Sequence, residues 1–454
     1  MEILPSAAAR EVREALKQSP VVIYRVESGN YLGIKGCGIT KKGKTFFVMD
    51  GEDEPSAKTL SQARIFDNPK IVDGALSAPH KVYLDPTLIC PCSCAHCSAN
   101  VPLIRSIQKV NHEKIPELNR DDGILIAKQI VKSGAVQTKT AGGEPFTWKP
   151  FAKVVEILGE AGIGLSMSTS GYNLSDINSE MIDLLMNYGM KISVSIDGPE
   201  EYHDDNRVYL GLHDKALAGI KRLRELGYPR NKIEIRSTIA DSPDAVNHAL
   251  YLFEEIAKKF EIRTRIRMAR PAGGALTNSI SHLQSNGHYW NLFNTLRQFK
   301  TNPLINFDDP VNYDDDPDGM VLKTGLDCGA GSRQMTINAK GEAMPCSFTD
   351  HYFPPVNVIE YLKQGGSLLD VWAGEVSEIN PFKEVRDFHS KRAHMIPCGG
   401  CGFKHGCQGG CPTYGLAVSK DPNKPQPDPR CPTDYIAKGG LIYKASTLFK
   451  KEII

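Results

Sequence analysis

The cysteines constrain this chain more than any other feature. Eleven of the twelve fall into two groups, at 90, 92, 94 and 97 and at 328, 346, 398, 401, 407, 411 and 431, separated by 230 cysteine-free residues. A disulfide framework suits short secreted chains, whereas closely spaced thiols in a chain of 454 residues can converge on one metal centre without strain. Metal binding is therefore the better reading. Cys398-x-x-Cys401 with Cys407 and Cys411 has the spacing of a four-thiolate zinc knuckle. Cys90, Cys94 and Cys97 argue instead for iron, because three thiolates on a four-iron cluster leave one iron open to a further ligand. Cys92 keeps a second option open, a zinc site closed by all four thiols of its group.

Composition narrows the partners. Apolar residues are 41% and charged residues 24%, which excludes a disordered chain, a collagen-like repeat and a coiled coil. Lys and Arg number 54 against 53 Asp and Glu, so the +1 balance gives no reason to expect nucleic acid. No apolar run reaches membrane-spanning length, and the N-terminus mixes Glu and Arg where a signal peptide would be apolar. A cytoplasmic protein with no membrane partner is expected.

Between the cysteine groups, short β patterns alternate with amphipathic helical ones, the signature of repeated βα units and a parallel sheet. The expected strands are Lys81 to Asp85, Ala135 to Thr140, Gly164 to Ser170, Lys191 to Asp197, Lys232 to Ile239 and Glu261 to Met268. Helical patterns lie between them, at Phe151 to Ala161, Glu180 to Tyr188 and Ala245 to Phe260. The fold class is α/β, a partial six-unit barrel. Several strands alternate with period two: Ile192, Val194 and Ile196 oppose Ser193, Ser195 and Asp197, and Ile233, Ile235 and Ile239 oppose Glu234, Arg236 and Thr238. In the last strand, Arg263, Arg265 and Arg267 share the polar face. Either these faces line a common lumen, where arginines can hold carboxylates in bidentate geometry, or the last strand is a solvated edge. The second strand runs into Gly142-Gly143-Glu144-Pro145, whose glycines allow close backbone approach to a ligand.

These residues resemble the radical S-adenosylmethionine (SAM) superfamily. The landmarks are Cys90-x-x-x-Cys94-x-x-Cys97 with His96 before the last cysteine, then Gly142-Gly143-Glu144-Pro145, then Ser195-Ile196-Asp197-Gly198-Pro199 followed by His203 and Arg207. The resemblance implies a [4Fe-4S] cluster on Cys90, Cys94 and Cys97 whose fourth iron chelates SAM. It assigns Gly142, Gly143 and Glu144 to the SAM amino group, Ser195 and Arg207 to the ribose and carboxylate region, and His96 to the adenine side. The second cysteine group is similar to the SPASM extension, which carries auxiliary clusters. By that analogy Cys398, Cys401, Cys407 and Cys431 hold one [4Fe-4S] cluster, and Cys328, Cys346 and Cys411 another that lacks a fourth cysteine. Three [4Fe-4S] clusters and SAM are thus the implied cofactors.

The resemblance further implies reductive cleavage of SAM to a 5′-deoxyadenosyl radical, hydrogen abstraction from a substrate, and an electron donor such as flavodoxin or ferredoxin. The substrate is expected to be a ribosomally made peptide undergoing crosslinking, oxidation or epimerisation. A small molecule and a zinc-stapled binding protein without redox chemistry are the alternatives. Sulfatase-maturing relatives carry an acidic proton acceptor directly after the cysteine matched by Cys346, where this chain has Ser347. Glu234, Asp197 and Tyr202 are unranked candidates for that acceptor.

The domain expectation is a small α+β region over 1–80, the barrel over 81–310 and a cysteine-rich SPASM domain over 311–454. In the first region a helix is expected at Ala7 to Lys17 and strands at Val21 to Val26, Tyr31 to Ile34 and Thr45 to Met49. Gly38 to Thr45 fits a phosphate-loop pattern, but that motif opens a helix, so Lys41 to Lys44 is read as a hairpin turn. Asp314, Asp316 and Asp318 imitate half a calcium loop, yet Gly325 stands where a bidentate Glu is needed, so a solvated acidic linker is expected. Cys37 is read as a buried apolar thiol.

Overall fold

The structure is a computed structural model. It describes residues 78–280, 287–299, 302–307, 328–394, 398, 409–421, 424, 426 and 428–431, together with the backbone of seven short strands at 21–25, 31–34, 40–42, 45–48, 63–66, 313–316 and 319–322. The expected helix at 7–17, Cys37, Cys401 and Cys407 lie outside the described residues.

All six expected barrel strands form: β1 (Lys81–Leu84), β2 (Gln137–Thr140), β3 (Gly164–Thr169), β4 (Lys191–Ser195), β5 (Ile233–Ile239) and β6 (Arg263–Met268). Each pairs in parallel with its neighbour in chain order. The sheet continues past both ends of this series. β7 (Ile305–Phe307) pairs in parallel with β6, so β6 is an interior strand. On the other side β8 (Gln334–Ile337) pairs in parallel with β1, followed by antiparallel β9 (Glu342–Met344) and β10 (Val356–Asn357), giving a sheet of ten strands.

The period-two pattern resolves as two faces. Val82, Leu84, Leu165, Met167, Ile192, Val194, Ile235 and Ile266 enter one continuous core with helix residues such as Ile126, Ile130, Val155, Ala216, Ile220 and Leu223. Burying each such aliphatic side chain stabilises the fold by about 1.5–3 kcal/mol, which fixes the register, since a one-residue slip would turn the charged face into that core. The opposite face, with Tyr83, Asp85, Lys139, Ser168, Arg236 and Arg267, lines the lumen. Arg263 is exposed, whereas Arg265 and Arg267 are half-buried, so the solvated-edge reading holds only for the first of the three arginines.

Outside the barrel, the strands at 21–25, 31–34 and 45–48 form with two more a five-stranded sheet. Thr40–Lys42 pairs antiparallel with Thr45–Val48 in the register Lys42 to Thr45, so Lys41 and Lys42, expected in a hairpin turn, are strand residues; Gly43 and Lys44 lie outside the described residues. Within the stretch expected as a solvated acidic linker, Tyr313–Asp316 pairs antiparallel with Gly319–Leu322. Among the described residues, no helix is long and apolar enough to cross a membrane.

Candidate active site

The first cysteine group sits on the loop that follows the C-terminal end of β1, and three other strand ends hold that loop by its backbone. After β2, Gly143 N donates to Thr87 O (2.7 Å) and Glu144 N to Ile89 O (2.8 Å). A Cβ on Gly143 would lie 2.3 Å from Ile89 O, and Gly142 has φ +95° with a Cβ position 2.8 Å from Thr87 O. Only glycine fits both places. After β4, Ser93 N donates to Arg207 O (3.1 Å) and Ala95 N to Asn206 O (2.9 Å). After β6, Gly274 N donates to Cys97 O (2.8 Å), and a Cβ on Gly273 would lie 2.3 Å from Ser98 O.

Cys90, Cys92, Cys94 and Cys97 line one chamber of about 160 Å³ with Gly142, Gly143, His96, Ser195 and Arg207, so these expected site residues are brought together and Cys92 joins them. Among the described residues, no three Cys, His, Asp or Glu side chains close on a point suited to a single metal ion. Cys92 lines the same chamber, so the lining itself leaves open whether three or four of its thiols act as ligands. His96 Nδ1 is buried with no hydrogen-bond partner among the described residues, a polar atom aimed where a ligand would satisfy it. Cys92 is buried between Cys90 and Cys94; hydrogen bonding to those two thiols, with burial, pushes its own thiol up. The Cys94 thiol is lowered to about 6, first by its hydrogen bond from Cys92 against the cost of burial, then by Arg207 and His96.

Glu144 is fully buried behind Thr169 and Ser170, two residues of the chamber lining that its carboxyl bonds. Oε1 accepts from Thr169 Oγ1 (2.7 Å), and Oε2 accepts from Ser170 N (2.9 Å) and Ser170 Oγ (2.5 Å). Burial raises its pKa against these three bonds. Its side chain therefore clamps the end of β3, and only the backbone of the segment faces the chamber.

Asp197 is also saturated. Arg207 donates to it through Nε (2.8 Å) and Nη2 (3.0 Å), Asn206 through Nδ2 (3.1 Å) and Thr238 through its backbone N (2.9 Å). Burial alone would raise the Asp197 carboxyl, but Arg207 beside it, with His96 and His203, holds it well below the usual carboxylate range. His203 Nδ1 accepts from Asp197 N (3.0 Å), so its ring is the neutral Nε2-protonated tautomer; burial above all lowers its pKa to about 3. Arg207 Nη1 is left 3.9 Å from Cys94 Sγ, which puts one positive charge on the chamber wall.

None of the three candidate proton acceptors lines the chamber or its neighbouring cavities. Asp197 is committed to Arg207. Tyr202 Oη accepts from Ala240 N (3.0 Å), and its ring stacks on His248 at 3.6 Å. Glu234 accepts from Ser193 Oγ (2.6 Å) and pairs with Lys191 near the N-terminal end of the strands. The carboxyls that do line the lumen are Asp85, directly after β1, Glu342 and Asp350, in a cavity of about 510 Å³ with Lys139, Arg236, Arg267 and Ser347. Burial raises Asp85 to about 6, against a hydrogen bond from Ser347 and the charge of Lys139. Asp85 and Gly273-Gly274 were legible signals: Asp85 continues the polar face of Lys81 and Tyr83, and the second glycine pair follows β6 as the first follows β2.

In the C-terminal part, Cys328, Cys346 and Cys411 line one cavity of about 280 Å³. Burial raises the Cys328 thiol to about 12, with Cys411 and Cys346 adding to the effect. Asp428 fixes this corner: Oδ2 accepts from Cys411 N (2.9 Å), and Arg430 donates to both carboxyl oxygens (2.9 and 2.6 Å). Of the other expected quartet, Cys398 and Cys431 are described.

A partial parallel barrel whose first strand ends in a cysteine-lined chamber walled by the Gly142-Gly143 backbone defines a class. The chain carries a radical SAM superfamily domain, matched over residues 84–239, and the iron-sulfur cluster-binding SPASM domain, matched over residues 328–402. Both domains imply iron-sulfur clusters and SAM. Among curated proteins it is 25% identical to a PqqA peptide cyclase from Rhodopseudomonas palustris, over 78% of this chain and 86% of that one. It is 26% identical to the sporulation killing factor maturation protein SkfB of Bacillus subtilis, over 39% of this chain and 42% of that one. In fold it is similar to Streptococcus suis SuiB bound to the precursor peptide SuiA, with a TM-score of 0.58 and 18% identity over 78% of this chain and 76% of that one. A second such likeness is to anSMEcpe with bound AdoMet, with a TM-score of 0.56 and 17% identity over 78% of this chain and 95% of that one.

Proposed function

We propose that this protein is a radical SAM oxidoreductase that modifies a residue of a ribosomally made peptide, with one SAM-binding and two auxiliary [4Fe-4S] clusters. The observation that carries the reading is the shared chamber of Cys90, Cys94, Cys97, Gly142 and Gly143. A peptide substrate is favoured by the PqqA peptide cyclase, whose likeness spans 78% of this chain. A small-molecule substrate draws on an AdoMet-dependent heme synthase of Methanosarcina barkeri, 27% identical over only 41% of this chain and 47% of that one.

When bound, the cluster and SAM supply a 5′-deoxyadenosyl radical that takes a hydrogen atom from unactivated carbon. The chain's own residues place and protect that event. Cys90, Cys94 and Cys97 would hold the cluster, and the Gly142-Gly143 backbone leaves room for the methionine portion of SAM. His96 and Ser195 reach its nucleoside side. Arg207, aligned by Asp197, offsets the negative charge that three thiolates concentrate. Asp85, hydrogen-bonded to Ser347, would accept the proton that the substrate radical releases as it gives up one electron, for which the auxiliary cluster that Cys328, Cys346 and Cys411 would hold is the acceptor; this places the acid-base role at the end of β1 and not directly after Cys346. A carboxyl tuned to about 6 by its surroundings is suited to take up a proton near neutral pH.

Anaerobic reconstitution tests the class. About twelve irons per chain, four for each of three clusters, and 5′-deoxyadenosine release with dithionite are expected. A colourless protein with stoichiometric zinc and no SAM cleavage would refute it. Incubation with candidate precursor peptides then reads the substrate as a mass loss or crosslink.

A further inference from the structure

The Cys90 and Cys328 chambers meet at a junction lined by Arg236, Arg267, Arg270 and Phe348. Elsewhere the wall of the Cys328 chamber is Cys411, and against Cys411 the structure buries an ion pair that the radical chemistry has not yet used, Asp428 with Arg430. Arg430 Nε donates to Asp428 Oδ1 (2.9 Å) and Nη2 to Oδ2 (2.6 Å), a bidentate fork that keeps the carboxyl ionised. Arg430 N adds a third bond to Oδ1 (2.9 Å). The space is shaped for this carboxylate: Gly410 has φ +79°, and a Cβ on it would lie 2.5 Å from Asp428 Cβ, so only glycine fits beside it.

Asp428 also touches one expected ligand of each auxiliary cluster. Its Oδ2 accepts from Cys411 N (2.9 Å), and its backbone O accepts from Cys431 N (2.9 Å). The pair has a fixed orientation. The carboxylate is the end bonded to Cys411, whereas the guanidinium lies over the Tyr414 ring, 3.7 Å from its centroid, and Tyr414 Oη donates to Ala269 O (3.1 Å) directly after β6. A buried ion pair stabilises a fold no better than apolar side chains of similar volume, so stability alone does not account for two charges at this point.

We propose that Asp428 and Arg430 are a positioning pair that sets the reduction potential of the auxiliary cluster that Cys328, Cys346 and Cys411 would hold. This inference rests on the reading with auxiliary clusters and deepens it, because that cluster is the one assigned the substrate's electron. Local charge and hydrogen bonds around the ligands are the levers by which a protein tunes an iron-sulfur centre. The carboxylate works twice in one direction: its negative charge disfavours an added electron, and by taking the Cys411 amide it withholds a donor from the cluster sulfurs. The guanidinium, bonded to the carboxylate and not to Cys411, offsets part of that charge from one group further out.

The test is a redox titration of the reconstituted holoenzyme, followed by electron paramagnetic resonance; signals that stay unchanged when SAM is added are those of the auxiliary clusters. Asp428→Asn should raise the midpoint potential of one auxiliary cluster and Arg430→Gln should lower it, each by about tenfold in the reduction equilibrium, or about 59 mV for one electron. The double variant Asp428→Asn/Arg430→Gln, with both charges gone, should return close to the wild-type potential. Opposite signs follow from charge and not from a structural role. Shifts of the same sign, or none, in variants that keep their iron overturn the inference. Loss of iron from both single variants overturns it too, because the pair would then hold the cluster and not tune it; where one variant loses iron, the sign of the other's shift decides. Wild-type enzyme that releases 5′-deoxyadenosine with only about four irons per chain refutes the auxiliary clusters and this inference with them, and leaves SAM cleavage standing. Absence of 5′-deoxyadenosine refutes the radical SAM reading itself.

Discussion

Replacing Asp197 with Asn removes one charge at the point where the SAM chamber is tied to the barrel. The wild-type carboxylate is fully buried and accepts four hydrogen bonds, two of them from Arg207 at 2.8 and 3.0 Å. The amide keeps one acceptor oxygen and turns an NH₂ toward donors of Arg207 and Asn206, leaving a buried guanidinium without its counter-charge. Breaking a buried ion pair from one side costs about 3–5 kcal/mol. At about 2–4 °C per kcal/mol for a domain of this size, the melting temperature should fall by roughly 6–20 °C. The loss should be local as well as global, because Arg207 O and Asn206 O hold the cysteine loop through Ser93 N and Ala95 N. Anaerobic calorimetry and iron content measure both effects. The pH dependence gives a further check: a carboxyl held below its ordinary value contributes stability above about pH 4, and that contribution fades as pH falls toward the folded value. Asp197→Asn should lack this acid-sensitive part. A variant that melts within about 2 °C of wild type and retains its iron would refute the view that this pair organises the chamber.

Three other outcomes follow from the site. Cys90→Ser, Cys94→Ser or Cys97→Ser should each lose about four irons per chain, one cluster's worth, whereas Cys92→Ser should keep them; iron assay and electron paramagnetic resonance read the difference, and equal loss from Cys92→Ser would favour a four-thiol site. Gly143→Ala places a methyl 2.3 Å from Ile89 O, an overlap of the kind that costs about 1–3 kcal/mol, and should weaken SAM binding measured by dialysis. Asp85→Asn should lower peptide product by about 10²–10⁴-fold while 5′-deoxyadenosine release persists. In the wild type a carboxyl near 6 is protonated below that pH, so product formation should rise as pH climbs through about 6, and flat pH profiles in both proteins would remove Asp85 from the mechanism.

The barrel was legible because its strands carry a period-two signal strong enough to locate both faces. Ile192, Val194 and Ile196 all enter the core, and the residues between them do not. The spacing located the group of four cysteines that lines the chamber but left the part played by Cys92 open. The direction of a carboxyl was not: Asp197, Glu234 and Asp85 are chemically alike in the sequence, and only packing shows that Arg207 takes the first, Lys191 and Ser193 take the second, and the lumen receives the third.

The junction was hidden for a different reason. Arg236 and Arg267 come from β5 and β6, but Phe348 and Cys346 lie far along the chain and reach the same space because β8 pairs with β1 in the register Gln334 to Lys81 and Ile337 to Leu84. A four-residue strand such as Gln-Met-Thr-Ile carries too little periodicity to announce a parallel partner on the far side of the barrel. That pairing sets the Cys346 loop over the C-terminal ends of the barrel strands, where Phe348 meets Arg267 and Arg270. Shifting the register by one residue would turn the inward side of β8 outward and carry the Cys346 loop away from the arginines. The position of the second thiol group over the lumen therefore depends on four backbone pairings, and the sequence motifs of either cysteine group contain none of them.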